Sequence, residues 1–98
     1  MTCGVWQVIR RPEYREDLDA IEEWIARANQ NAALEMWLLI DEQVDSLADP
    51  NFPRRTSHRV PGAYELVAHE NYIVYFDQDE SRCIVTARAV AHVARQFP

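Results

Sequence analysis

The sequence predicts an α+β fold, in which an N-terminal strand and an antiparallel helix hairpin pack on an antiparallel β-sheet in the order β-α-α-β-β-β. In the first half, apolar residues recur at helical spacing in two adjacent stretches separated by a short polar link. In the second half, three runs rich in β-branched and aromatic residues are joined by short polar segments. We expect a single domain over residues 1–98, since 48% of the residues are hydrophobic and can build one core.

The first half begins with a β-rich run over residues 5–9. Pro12 suits the first turn of a helix, where its missing N–H has no partner to lose. The apolar stripe that follows is Tyr14, Leu18, Ile21, Ile25 and Ala28. Residues 29–31 interrupt this stripe, and an asparagine there can cap a second helix over residues 32–47. The stripe of that helix is Ala33, Trp37, Ile40, Val44 and Leu47.

The second half predicts three strands over residues 62–69, 72–77 and 82–90. The link at residues 70–71 is short enough for a two-residue hairpin turn, and residues 77–81 form a polar loop. The run over residues 72–76 is apolar on both faces, which is typical of a central strand. Residues 54–60, with three arginines and His58, are predicted as a loop.

The charge of the chain is negative and uneven. The formal net charge is −6, and every basic residue is arginine. Residues 1–49 hold 11 acidic residues and four arginines, whereas residues 50–98 hold five acidic residues and six arginines. This balance argues against broad, salt-dependent nucleic-acid binding. It leaves open a small local anion site among five arginines of the second half, which are Arg54, Arg55, Arg59, Arg88 and Arg95.

Cys3 and Cys83 are predicted as buried free thiols in strands, because a disulfide or a metal pair is disfavoured in a reducing compartment. No run approaches the roughly 18 apolar residues of a membrane span, and the first residues lack the features of a signal peptide. We therefore expect a cytoplasmic protein without membrane contact. The three histidines show no metal-ligand spacing, and two glycines cannot form a Gly-rich phosphate loop, so no metal or cofactor is expected.

The element order and several local motifs resemble the RelE/ParE superfamily of bacterial toxins, which are the toxin halves of type II toxin–antitoxin modules. The motifs are Asn29 before Ala32-Ala33; Arg59-Val60-Pro61-Gly62 followed by Glu65-Leu66-Val67; Asn71-Tyr72 with Tyr75; Val90-Ala91-His92; and Ala94-Arg95-Gln96-Phe97-Pro98. The resemblance implies a growth-inhibiting toxin that a cognate antitoxin neutralises in a hetero-oligomer. It implies one of two targets, because RelE-like members cut ribosome-bound mRNA whereas ParE-like members act on DNA gyrase.

A metal-free ribonuclease must move two protons and stabilise the charge of the phosphorane. A histidine can exchange a proton near neutral pH, and an arginine can hold the phosphate. The candidate catalytic residues are therefore Arg59, Arg88, His92 and Arg95. Each of them can instead be an ordinary exposed or paired side chain, and Glu65 can pair with Arg82 across strands.

Other features favour the ParE-like mechanism. Tyr64 and Ile73 stand where many RelE-like nucleases have arginine, and the chain has no lysine. A protein with a net charge of −6 also docks poorly into a ribosomal A site. We expect a gyrase inhibitor, with an mRNA endoribonuclease and a non-toxic peptide-binding module as the alternatives.

The second predicted helix is apolar beyond its stripe. This width indicates either burial between the first helix and the sheet or a surface for a partner. In toxins of this superfamily the C-terminal segment of the antitoxin wraps the helix hairpin and the sheet. The residues that we assign to the antitoxin-binding surface are Trp24, Trp37, Leu34 and Leu38.

Overall fold

The computed structural model describes residues 3–93 and confirms the predicted order, with one short strand added. The elements are β1 (Gln7–Arg10), α1 (Pro12–Ala26), α2 (Gln30–Asp45), a 3₁₀ turn (Ser46–Ala48), β2 (Arg55–Thr56), β3 (Tyr64–His69), β4 (Tyr72–Asp79) and β5 (Ile84–His92). None of the helices in this part of the chain is long and apolar enough to cross a lipid bilayer.

The strands form one sheet in the order β1-β5-β4-β3-β2. Strand β4 lies at the centre of the sheet, as its apolar sequence predicted. The sheet is mixed, because β1 runs parallel to β5 while all other neighbours are antiparallel. The added strand β2 lies within the predicted loop and pairs Arg55 with Glu65. Continuing this register would place Pro53 opposite Val67, and proline has no N–H to donate to a ladder.

The two helices form the predicted hairpin. Helix α2 begins at Gln30, two residues before the predicted start, because the Asn29 side chain accepts the N–H of Ala32 at 3.0 Å. This hydrogen bond satisfies one of the otherwise unpaired donors at a helix start. Trp37 joins the helices, since its Nε1 donates to Asp19 Oδ1 at 3.1 Å.

Both helices pack on the same face of the sheet. Side chains alternate between faces along a strand, so Tyr72, Val74 and Phe76 of β4 all point towards the helices. They join a core whose most buried large members are Tyr14, Leu18, Ile40, Val44, Leu47, Val74, Phe76 and Val85. The face that carries Glu65, Tyr75 and Asp77 is turned away from both helices.

A network of charges joins β1 to both helices. The Arg10 guanidinium donates to Asp41 Oδ1 at 2.8 Å and also to Asp45. The buried Tyr14 hydroxyl donates to the same Asp41 oxygen at 2.9 Å. Arg10 belongs to β1, Tyr14 to α1 and Asp41 to α2. The network therefore joins three elements and orients the helix hairpin against the edge of the sheet.

The prediction of free thiols is wrong, because Cys3 and Cys83 form a disulfide with a Cα–Cα distance of 5.7 Å. Neither residue lies in a strand, since Cys3 precedes β1 and Cys83 lies in the turn before β5. The parallel pairing places Gln7 opposite Ile84, and the Gln7 N–H donates to the Cys83 carbonyl at 2.8 Å. The chain before β1 therefore runs beside that turn and brings together two cysteines 80 residues apart.

Candidate functional site

The sheet face turned away from the helices carries a buried carboxylate between two arginines. Glu65 is only 4% exposed. Its Oε2 lies 2.8 Å from a terminal nitrogen of Arg55 and 4.0 Å from one of Arg59. Burial acts to raise the pKa of Glu65, but hydrogen bonds from Arg55 and Ser57 and the charges of both arginines hold that pKa below its usual range. Glu65 is thus an anion at neutral pH that anchors two cations.

Glu65 does not pair with Arg82, which is the cross-strand alternative that the sequence suggested. Arg82 lies in the β4–β5 turn and faces Asp79 at 3.8 Å. Little in the sequence indicated that Arg55 is the partner of Glu65, because Arg55 lies in a two-residue strand outside any β-rich run. A lone acid between Tyr64 and Leu66 in an apolar strand was nevertheless a visible sign of a buried charge.

The loop before β3 is held in one shape by local hydrogen bonds. The Ser57 hydroxyl accepts the N–H groups of Arg59 and Val60, each at 3.1 Å. The Ser57 N–H donates to the Ala63 carbonyl at 2.9 Å. Gly62 has φ +82°, a conformation that glycine adopts without strain. These bonds fix the position from which Arg59 reaches towards Glu65.

Arg88 lies at an irregularity of β5. Tyr75 pairs with Ala89 and Phe76 with Ala87, so Arg88 is an extra residue between them. Its guanidinium contacts Asp77 at 3.2 Å. Arg88 therefore lies on the same sheet face as Arg59, but the two arginines have different carboxylate partners.

His92 ends β5 on the helix side of the sheet. Its ring meets the ring of Tyr72 edge-on, with centroids 4.9 Å apart. It lines a cleft of about 260 Å³ together with Asp17, Ile21 and Trp24 of α1. The structure thus brings His92 to the side of the sheet opposite Arg59 and Arg88. Arg95 lies outside the described residues.

The residues assigned to the antitoxin surface occupy three places. Trp24 borders the cleft that His92 lines, with the Arg27 guanidinium 5.2 Å from its ring centre. Trp37 is half-buried between the helices. Leu34 and Leu38 lie one turn apart on the outer side of α2 and are 52% and 44% exposed. The wide apolar surface of α2 is therefore only partly buried.

Two solved structures share this fold. The toxin–antitoxin system described as chromosomal ParDE from P. aeruginosa matches with a TM-score of 0.74 and 20% sequence identity, over 92% of this chain and 98% of that one. The toxin–antitoxin complex RelBE2 from Mycobacterium tuberculosis matches with a TM-score of 0.58 and 18% identity, over 96% of this chain and 98% of that one. No curated protein sequence matches.

These likenesses show that the chain shares the fold of those two structures. Residues 8–97 match the family described as the ParE toxin of the type II toxin–antitoxin system, parDE, and this match confirms the resemblance to the RelE/ParE superfamily in the sequence. Because the match spans most of the chain, the protein belongs to the ParE toxin family. It is a toxin of the type II class.

Proposed function

We propose that this protein arrests bacterial growth by inhibiting DNA gyrase, and that a cognate antitoxin neutralises it by binding. The observation that carries this proposal is membership of the ParE family over residues 8–97. Both structural relatives are also described as toxin–antitoxin assemblies, which supports an antitoxin as the partner.

Features of the sheet favour gyrase over ribosome-bound mRNA as the target. A nuclease needs its proton-transferring group and its phosphate-binding groups around one reacting phosphate. His92 faces the cleft beside α1, whereas Arg88 contacts Asp77 on the other face of the sheet. The central strand has the buried Ile73 where many nucleases of the superfamily have arginine. The net charge of −6 also weakens any approach to ribosomal RNA.

Two assays with purified protein test the target. In the first, gyrase supercoils relaxed plasmid DNA with increasing amounts of the toxin. In the second, ribosomes that carry mRNA are incubated with the toxin and the mRNA is analysed for cuts. We predict inhibition of supercoiling by the wild type and by His92→Ala, and no cleavage of mRNA. Cleavage that disappears in His92→Ala would show that the endoribonuclease alternative is correct.

The exposed apolar residues of the hairpin support a surface for the antitoxin. Leu34 and Leu38 are exposed one turn apart on α2, and Trp24 is exposed on α1 beside the cleft that His92 lines. Apolar side chains exposed at this density on a small protein are typical of interaction surfaces. We assign the antitoxin to this surface, with Trp37 as the side chain that supports it from between the helices.

A further inference from the structure

We propose that Arg55 and Arg59 form an anion site for a phosphate group, organised by the buried carboxylate of Glu65. This site goes beyond the proposed function, because it does not depend on whether gyrase or mRNA is the target. The two guanidinium groups converge on one oxygen, Glu65 Oε2, at 2.8 Å and 4.0 Å. Their side chains are nevertheless 67% and 50% exposed, so each also faces solvent.

Most donors of these two arginines are available to a ligand. A guanidinium carries five N–H donors. Arg55 uses one of them on Glu65, and the 4.0 Å separation between Arg59 and Glu65 is too long for a hydrogen bond. Among residues 3–93, the Arg59 side chain donates no hydrogen bond in the structure.

Arg54, the neighbour of Arg55, shows the contrasting arrangement. Its guanidinium donates to the Gln78 side chain and to the carbonyls of Leu47, Asp49 and Phe52, and it also lies 5.0 Å from the ring centre of Trp6. Arg54 is therefore committed to holding the loop after the 3₁₀ turn in place. Apart from the one hydrogen bond from Arg55 to Glu65, the donors of Arg55 and Arg59 have no such structural use, which favours a binding role for them.

The backbone that carries the site is held in place before any ligand arrives. Glu65 is fixed within β3, and Arg55 lies opposite it in β2. The hydrogen bonds of Ser57 to the N–H groups of Arg59 and Val60 hold the loop that carries the second arginine. Little backbone entropy is therefore lost when an anion binds, and the main ordering cost is that of the two exposed arginine side chains.

The charge and shape of the site match a phosphate. Two arginines and one carboxylate leave one net positive charge, and the nearby Asp77 is paired with Arg88. Planar guanidinium groups donate paired hydrogen bonds to the several oxygens of a phosphate, which a single ammonium does less well. The ligand is a phosphate oxyanion, either free or within a nucleic-acid backbone.

The test is titration of the full-length protein with pyrophosphate and, separately, with a short oligothymidylate, followed by NMR of the arginine side chains. We expect Arg59→Gln and Arg55→Gln each to weaken binding about tenfold, and Arg59→Lys to recover part of the loss. Arg82→Gln is the matched control, because it removes the same charge from the exposed β4–β5 turn. It should bind as the wild type does.

Binding of pyrophosphate alone would identify a free phosphate as the ligand. Binding of the oligonucleotide as well, with affinity falling as salt increases, would identify a backbone phosphate. The proposal is wrong if neither probe binds at millimolar concentrations, or if Arg82→Gln weakens binding as much as Arg59→Gln. Since Arg55→Gln removes a partner of a buried charge, its folding is checked by circular dichroism, and Arg59→Gln decides the outcome.

Discussion

Asp41 is the residue at which β1, α1 and α2 are joined. Its Oδ1 accepts hydrogen bonds from Arg10 at 2.8 Å and from Tyr14 at 2.9 Å. Tyr14 is fully buried, so its hydroxyl has no access to water. Hydrogen bonds to a charged group are stronger than neutral ones, and losing a partner inside a protein costs the full desolvation of the group left behind. We therefore expect this cluster to be sensitive to single changes.

The change Tyr14→Phe tests this cluster. Removing only the hydroxyl should lower the free energy of unfolding at neutral pH by roughly 1–3 kcal/mol, measured by urea denaturation. Burial and then the hydrogen bond and charge of Asp41 raise the pKa of Tyr14 above its ordinary value. The stability from the neutral phenol is thus complete below the unfolded pKa of about 10 and is lost as the pH rises above it.

Tyr14→Phe should accordingly unfold with a weaker dependence on pH above about pH 10 than the wild type does. An identical alkaline decline in both proteins would contradict the assignment of that decline to Tyr14. Tyr75→Phe is a suitable control for neutral pH, since it removes a hydroxyl from the half-buried ring on the other face of β4.

At the scale of elements, α2 has two apolar sides with different roles. Ala33, Ile40 and Val44 are buried against the sheet and α1. Leu34 and Leu38 point outwards on one side, whereas Leu39 is 37% exposed on the opposite flank, because successive residues turn by about 100° around a helix. The helix thus offers both a candidate antitoxin surface and an internal control for it.

We predict that Leu34→Asp and Leu38→Asp each weaken antitoxin binding by roughly 30-fold or more, because each buries a charge at an apolar contact. Leu39→Asp makes the same chemical change on the same helix and should reduce affinity far less. Calorimetric titration of each folded variant with the antitoxin measures the effect. Equal losses in all three variants, or a loss only in Leu39→Asp, would contradict the assigned surface.

At the scale of the whole molecule, the disulfide closes the chain between Cys3 and Cys83, across a sequence separation of 80. A crosslink over so long a loop restricts the unfolded chain and stabilises the folded state by roughly 2–5 kcal/mol. We expect reduction to lower the midpoint of thermal unfolding by more than about 10 °C. The double variant Cys3→Ser/Cys83→Ser is the control and should be unaffected by reductant. An unchanged unfolding midpoint of the wild type after reduction would contradict the predicted contribution of the disulfide to stability.

Local patterns predicted the two helices and the three-stranded meander, because periodicity and turn residues act over short stretches. Contacts between segments distant in sequence were harder to predict. Gln7 lies beside Ile84 because β1 pairs with β5 in the parallel direction. The sequence of residues 5–9 does not indicate whether this strand pairs in parallel or antiparallel. The same pairing produces the disulfide that the sequence did not predict. Strand β2 was missed because a strand of two residues is too short to form a recognisable sequence pattern.

Of the candidate site, the sequence predicted the arginines but not their partners. Arg59 and Arg88 were identified by residue type and by resemblance. Their carboxylate partners, Glu65 and Asp77, depend on register and on the bulge at Arg88. The side of the sheet that His92 faces depends on the same bulge, because the extra residue at Arg88 reverses the alternation of side chains along the rest of β5.

The central claim is that this chain is a toxin controlled by an antitoxin, and growth of bacteria that express it tests this claim most directly. The chain is induced alone or together with its cognate antitoxin, and soluble protein is quantified in both cultures. We predict that growth stops when the chain is expressed alone and resumes when the antitoxin is present. Unimpaired growth at verified soluble levels of the chain would contradict the account.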